Sequence, residues 1–334
     1  MARDKERAEL SAARATVALV VGLAAGFAFV LFPYGIGWVI ASARGEMPSS
    51  FTAVSGFTNG LTLLFPMVQG FALALALGRG NYPFMRVEML LLALTAIELV
   101  GAFFFLREGI ICLIILTPLI VGMMSLGAVL GRFLARRARS LTAQVSLVPL
   151  VVLAVFAEAA GPKPNYPGVV VDSVTIDAPA PYVWRYVVDY PENTSPPEYW
   201  LWRIGLPHPV QSTATTQSVG ATRVCRFSGG IAFEERITEL TPNEVMTFDV
   251  TEQPNHPEVI GHFQFDRGQI RLAQNADGTT TVTATSWYRL FVRPAAYFDL
   301  WTADITRHVH FRVLNHIKEL AERDYEAASN PSET

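Results

Sequence analysis

The sequence predicts two parts of different class. The first is an N-terminal all-α transmembrane bundle of about five spans. The second is an α+β domain in which a long C-terminal helix covers one face of a curved antiparallel sheet. Three observations lead there. Hydrophobic residues make up 51% of the 334-residue chain and charged residues only 16%, against roughly 25% charged in ordinary soluble domains. Charge also divides the chain. Residues 1–160 hold 12 of the 26 Lys and Arg and 8 of the 29 Asp and Glu, whereas residues 161–334 hold 14 and 21, with all 6 His. Finally, apolar runs of about 20 residues, the length a bilayer core requires, end near Ala160, and period-two alternation follows. A wholly soluble chain, a chain of spans alone and a disordered chain are thereby excluded. The acidic second half lacks the clustered basic charge of a nucleic-acid footprint, so no nucleic-acid partner is expected.

The transmembrane helical domain covers residues 1–160. Its candidate spans are Ala15–Ala43, Phe57–Leu77, Val87–Leu106, Gly109–Gly131 and Leu141–Ala160, each bounded by charge or turn residues. The stretch before Ala41-Ser42-Ala43 is too long for a cleaved signal peptide and reads as an anchor. The N-terminal tail and the loops after spans two and four carry 10 Lys and Arg, while the opposite side carries 3 (Arg44, Arg107, Lys163). The excess places the N-terminus in the cytoplasm. Five spans then place the C-terminal domain outside it, at a plasma membrane crossed several times. Glu98 sits inside span three, where a carboxyl is costly. It marks either a functional site or a buried partner, with Gln69 or Thr117 within the same bundle as candidates. Gly22, Gly26, Gly122, Gly127 and Gly131 permit close helix contact.

Residues 161–168, with three prolines, form a stiff linker reaching roughly 25 Å at most. Val169–Ile176 reads as a strand, Ala180–Asp189 as a helix, and Pro191–Pro197 as a break before Tyr199–Ile204. Strands are then expected over 221–227, 231–240, 245–251, 262–273 and 279–292, with a tight hairpin at Asn275-Ala276-Asp277-Gly278. From Ala295 to Glu326 the apolar residues Phe298, Trp301, Ile305, Val309, Val313, Ile317 and Leu320 recur at helical spacing. Residues 327–334 form a tail.

The opening Ser173–Asp189, with its strand, Ala-Pro pair and helix bearing Val-Trp, resembles the START/polyketide-cyclase superfamily (SRPBCC). So does the closing helix with Trp301 and the Leu314/Ile317 stripe. The segments around Tyr199-Trp200 and Ser286-Trp287-Tyr288 look like a membrane-anchored bacterial subgroup of that superfamily. The resemblance spans about 169–326 and implies a helix-grip fold, with a cavity between a curved sheet and its closing helix. It implies binding of lipids or other apolar molecules, and cyclase activity in some members. It offers no shared catalytic motif to carry over.

Aromatic density nominates Tyr199, Trp200, Trp202, Trp287, Tyr288 and Trp301 for the cavity wall, against the alternative that they pack a core. Alternation puts Arg223 and Cys225 on one strand face and sends Glu234 and Glu235 to opposite faces. One glutamate, Glu235 being the candidate, either enters the cavity to pair with an arginine or forms a solvated outer pair. His308 lies beside the apolar stripe, either as a polar group of the cavity and potential acid/base or as a capped helix histidine. HExxH, GxSxG and phosphate-loop motifs do not occur, and Cys112 and Cys225 have no metal-site spacing. Catalytic residues, metals and cofactors are therefore unassigned. The leading expectation is a membrane-anchored protein that binds a hydrophobic small molecule or lipid at the outer surface. The alternatives are a cyclase-like or hydrolytic enzyme acting on an apolar substrate, and a membrane sensor or assembly factor with protein partners left open.

Overall fold

A computed structural model describes residues 12–25, 60–77, 82–106, 109–137, 164–254, 256 and 263–329. The chain divides into two compact units, Met1–Pro164 with Val292–Pro294, and Asn165–Phe291 with Ala295–Thr334.

In the first unit the described helices are α1 (Ala12–Ala25), α2 (Phe65–Leu77), α3 (Phe84–Gly101) and α4 (Ile110–Arg137). Two stretches are long and apolar enough to cross a membrane, Phe84–Phe104 and Ile110–Arg136, while Ala12–Ala25 and Thr62–Leu77 are shorter apolar helices. At about 1.5 Å per residue the first of these is about 32 Å long, close to the roughly 30 Å of a bilayer core. The five expected spans thus reduce to two among the described residues. The candidate over 141–160 lies outside them, as does most of the first. Gly70 on α2 and Gly127 on α4 explain how two of these helices meet. A Cβ at Gly70 would lie 1.9 Å from the Met124 carbonyl oxygen, and one at Gly127 would lie 1.9 Å from that of Met67. Only a residue without a side chain lets the backbones approach so closely. Gly122, by contrast, faces open space. Gln69 donates a side-chain hydrogen bond to Glu98. Thr117, the other candidate, bonds the Leu113 carbonyl instead.

The second unit is a seven-stranded antiparallel sheet in the order β1-β7-β6-β5-β4-β3-β2. The strands are β1 (Tyr166–Ile176), β2 (Pro209–Ala214), β3 (Thr222–Phe227), β4 (Ile231–Thr241), β5 (Val245–Glu252), β6 (Phe263–Gln274) and β7 (Thr280–Leu290). Between β1 and β2 lie two short helices, α5 (Ala180–Trp184) and α6 (Trp200–Arg203). The helix expected over Ala180–Asp189 ends early, after one turn opened by Pro179 and Pro181. β1 begins at Tyr166, so the last three residues of the expected linker pair with β7. β2 is a short edge strand between prolines and polar residues, which is why period-two reading overlooked it.

The closing helix α7 (Ala295–Ser329) packs against β1, β7 and β2. Since β1 and β2 are the two sheet edges, the sheet must curl around the helix to touch it from both. The sequence stripe was set a fraction of a turn off. Of the stripe, Ile317 and Leu320 are buried, and the other buried positions are Thr306, His310, Leu314, His316 and Ala321, so the inward line runs through 306, 310, 314, 317 and 321, spaced by three and four. They meet a core of Ile176, Val183, Ile237, Met246, Val282 and neighbours.

Candidate functional site

Between the sheet and α7 lies a cavity of about 110 Å³, lined from β3 through β7 and from α7. Its walls are mainly apolar, with Phe227, Phe233, Phe248, Phe265 and Val313 among them. This follows from the strand pattern. Inward positions on a curled sheet carry apolar side chains.

Two buried polar clusters stand in the wall. The first is the pair Arg223 and Glu235, register partners on β3 and β4. Their side chains are 3% and 6% exposed and form an ion pair. Arg223 also donates to the Val188 carbonyl at 2.9 Å and lies 5.0 Å from the centre of the Phe248 ring. Burial opposes the guanidinium charge, but Glu235 holds it more firmly than usual. Burial pushes the Glu235 carboxyl above its ordinary range, against the pull of Arg223. Beside the pair, the Cys225 thiol is pushed up to about 12 by burial and by Glu235. The Tyr190 hydroxyl lies 3.8 Å from its sulfur.

The second group was not foreseen. His310 on α7 is 6% exposed, with Nδ1 2.8 Å from Asp172 Oδ2 on β1 and Nε2 2.8 Å from Ser286 Oγ on β7. Arg307 donates to the other oxygen of Asp172 at 3.1 Å. Ser286 and His310 line the cavity, and Asp172 stands behind them. A carboxylate oxygen only accepts, so Nδ1 carries the proton. Nε2 is then the acceptor and the Ser286 hydroxyl its donor. Burial lowers the His310 pKa, opposed by Asp172 and assisted by Arg307. One signal was present in the sequence. Asp172 occupies an inward position among Val170, Val174 and Ile176, where a charged residue demands a partner.

Of the residues nominated from sequence, Arg223 and Glu235 line the cavity, while the others lie outside its lining. Alternation turns Tyr288 inward with Ala284 and Leu290, so Trp287 faces the opposite side of β7. The Tyr288 hydroxyl donates to Asp299 at 2.6 Å. Tyr199 donates to Asp304 at 2.6 Å, and its ring stacks on His308 with centroids 3.7 Å apart. His308 is half-exposed, donates through Nδ1 to the Asp304 carbonyl one turn earlier in the same helix and lies outside the cavity lining. Trp200 is 46% exposed. Trp301, the expected roof, is half-buried near the start of α7 and is a hydrogen-bond partner of Tyr297. The cavity instead meets α7 further along, at Val309–Leu314. Among the described residues no group of three metal-ligating side chains occurs.

Several solved structures resemble this chain. A protein from Nitrosospira multiformis is 18% identical over 49% of this chain and 99% of its own, with a TM-score of 0.32. Truncated norcoclaurine synthase from Thalictrum flavum is 10% identical over 48% and 96%, with a TM-score of 0.34. The protein XoxI from Bacillus cereus is 13% identical over 48% and 98%, with a TM-score of 0.32. Comparison with curated proteins found no match. The model of the family described as polyketide cyclase / dehydrase and lipid transport matches residues 167–322, which run from the start of β1 to the last turns of α7. The C-terminal half of the chain is accordingly a START/polyketide-cyclase (SRPBCC) domain of helix-grip fold.

Proposed function

We propose that this domain binds a small hydrophobic molecule, or the apolar end of a lipid, in the cavity beneath α7, and that the N-terminal helices anchor it at the outer surface of the plasma membrane. The cavity carries the binding reading. Its apolar wall supplies affinity at about 25 cal/mol per Å² of ligand surface removed from water. Its few polar groups orient the occupant. Size narrows the class. Apolar cavities of about 150 Å³ accept benzene, so a space of about 110 Å³ suits a single ring or a short acyl or isoprenyl segment better than a whole sterol.

The two helices long enough to cross a membrane and the unequal loop charge support the anchoring part of the reading. Native mass spectrometry of the gently purified full chain tests binding, with a co-purifying small apolar molecule as the expected result. A bare mass, with no protection of the cavity amides on adding benzyl alcohol, would sink it. Reporters fused after Leu77 and Arg139 should read cytoplasmic, and one after Thr334 extracytoplasmic. A cytoplasmic signal at Thr334 would remove the outer-surface placement without touching the binding reading.

A further inference from the structure

We propose that Ser286, His310 and Asp172 form a nucleophile, base and orienter that make the cavity an acyl-transfer site, cleaving small esters whose apolar group the cavity accepts. The inference rests on the cavity taking up an apolar molecule. It adds a reaction to that uptake. Two side chains, from β1 and β7, converge on one histidine of α7, and the contacts run in the order the chemistry requires. The hydroxyl faces the cavity, the imidazole accepts its proton, and the carboxylate behind holds the tautomer that makes Nε2 the acceptor. Both bonds to the imidazole are 2.8 Å. Arg307 fixes the remaining oxygen of Asp172, so the orienter is itself held in place. The depression of the His310 pKa by burial agrees with a ring that is neutral, and so basic, near pH 7.

The reaction balances with water as its second reactant. Ser286 Oγ bonds to the ester carbonyl carbon while its proton passes to His310 Nε2. The bond from carbonyl carbon to alkoxy oxygen breaks, and the leaving alcohol takes that proton. Water then attacks the acyl-serine and gives a proton to His310. The bond from acyl carbon to Oγ breaks, Oγ recovers the proton, and a carboxylic acid departs. Ser286 and His310 are the catalytic residues. Asp172 acts through His310 and is a positioning residue.

Phenylmethylsulfonyl fluoride, whose single ring matches the cavity, provides the test on the full chain in lipid nanodiscs. The expected result is one sulfonyl group per chain on the peptide bearing Ser286, with fluoride released, and none in Ser286→Ala. In His310→Gln the labelling rate should fall by about 10²–10⁴, the usual contribution of a general base. Asp172→Asn, nearly isosteric, should also label slowly while its sheet amides stay as protected as those of the wild type, and it carries the comparison if His310→Gln does not fold. p-Nitrophenyl acetate hydrolysis should follow the same order. The proposal is overturned if folded wild-type protein gains no adduct at Ser286, if label appears only elsewhere, or if the folded variants label at the wild-type rate. Protection of cavity amides by benzyl alcohol, measured alongside, separates the two readings. Uptake without labelling defeats this inference alone, whereas no uptake defeats the binding reading.

Discussion

Arg223 and Glu235 face each other across β3 and β4 as direct register partners, and both ends of this ion pair are buried at the cavity wall. Breaking a buried pair from one side strands the other charge, at a cost of about 3–5 kcal/mol, whereas apolar replacement of both sides is often neutral or better. The two single variants differ in a way that pH exposes. Arginine cannot give up its proton, so the charge stranded by Glu235→Gln is not relieved at any pH, and this variant's stability should gain nothing at this site as pH falls. Glu235, already raised by burial, can take up a proton when Arg223 is gone. A carboxyl with a raised folded pKa contributes stability at low pH that is lost as pH rises through that value. Arg223→Met should therefore approach wild-type stability as pH falls toward about 4.5, the ordinary glutamate range. Hydrogen exchange of the sheet amides in the full chain reads both. Parallel pH profiles for the two variants would refute the asymmetry.

His310 contributes to acid sensitivity in the opposite sense. Its pKa is lowered in the fold, chiefly by burial, so near and below about pH 6.5 the unfolded chain binds a proton that the folded chain resists. Stability from this group is complete above that pH and declines below it. His208, also lowered by burial and by Arg312, adds to the decline. His310→Gln should flatten the profile between neutral and mildly acid pH relative to wild type. Glu235 is present in both proteins, so its own titration largely cancels in the comparison. An unchanged slope in the variant would show that the imidazole does not titrate differently on folding.

These groups also show what the sequence conveyed. β4 and β7 were legible because one face of each is more buried than the other, which writes the period-two alternation. The β6–β7 turn was legible because Gly278 has a φ of 88°, a left-handed conformation suited to glycine. Alternation separated Glu234 from Glu235 but left open whether a glutamate met an arginine at the cavity or in solvent; the β3–β4 register that sets Arg223 opposite Glu235 decides it. The meeting of Asp172, Ser286 and His310 was not legible, because it requires β1 to return across the sheet to β7, over a hundred residues away. The helix phase concealed the third member. A stripe through Val309 and Val313 leaves His310 to one side, whereas the buried line that ends at Ile317 enters through Thr306, His310 and Leu314. Trp301 and Trp287 attracted attention by size, but size alone does not say which face of a helix or strand meets the cavity.

Cys225 should be chemically silent in the native protein. The thiolate is the reactive form, and burial holds the thiol up to about 12. At about pH 8, near the ordinary thiol value, iodoacetamide should leave the Cys225 peptide unmodified in the folded chain and label it fully after denaturation. Peptide mapping distinguishes it from Cys112. Rapid native alkylation of Cys225 would mean that this wall of the cavity opens to solvent far more than its packing suggests.

Gly268 offers the most direct control of cavity volume. It lies opposite Phe248 in the β5–β6 register, and both line the cavity. A Cβ at residue 268 would stand 2.3 Å from Phe248 Cζ, with two more ring carbons within 2.9 Å. Carbon atoms do not pack at such separations, so the ring must move. The ring also packs against the core and lies 5.0 Å from the Arg223 guanidinium, so the free space beside it is the cavity that it lines. Gly268→Ala should therefore push the ring into the ligand space, at a cost of about 1–3 kcal/mol for overpacking, and abolish protection of the cavity amides by benzyl alcohol. Adding Phe248→Leu should relieve the clash and restore uptake in the double variant. The single variant must remain folded for the comparison, which its protected β1 and β7 amides would show. Unchanged uptake in a folded Gly268→Ala protein would mean that the occupied space lies elsewhere. Loss of uptake without recovery in the double variant would mean that Phe248 itself holds the ligand.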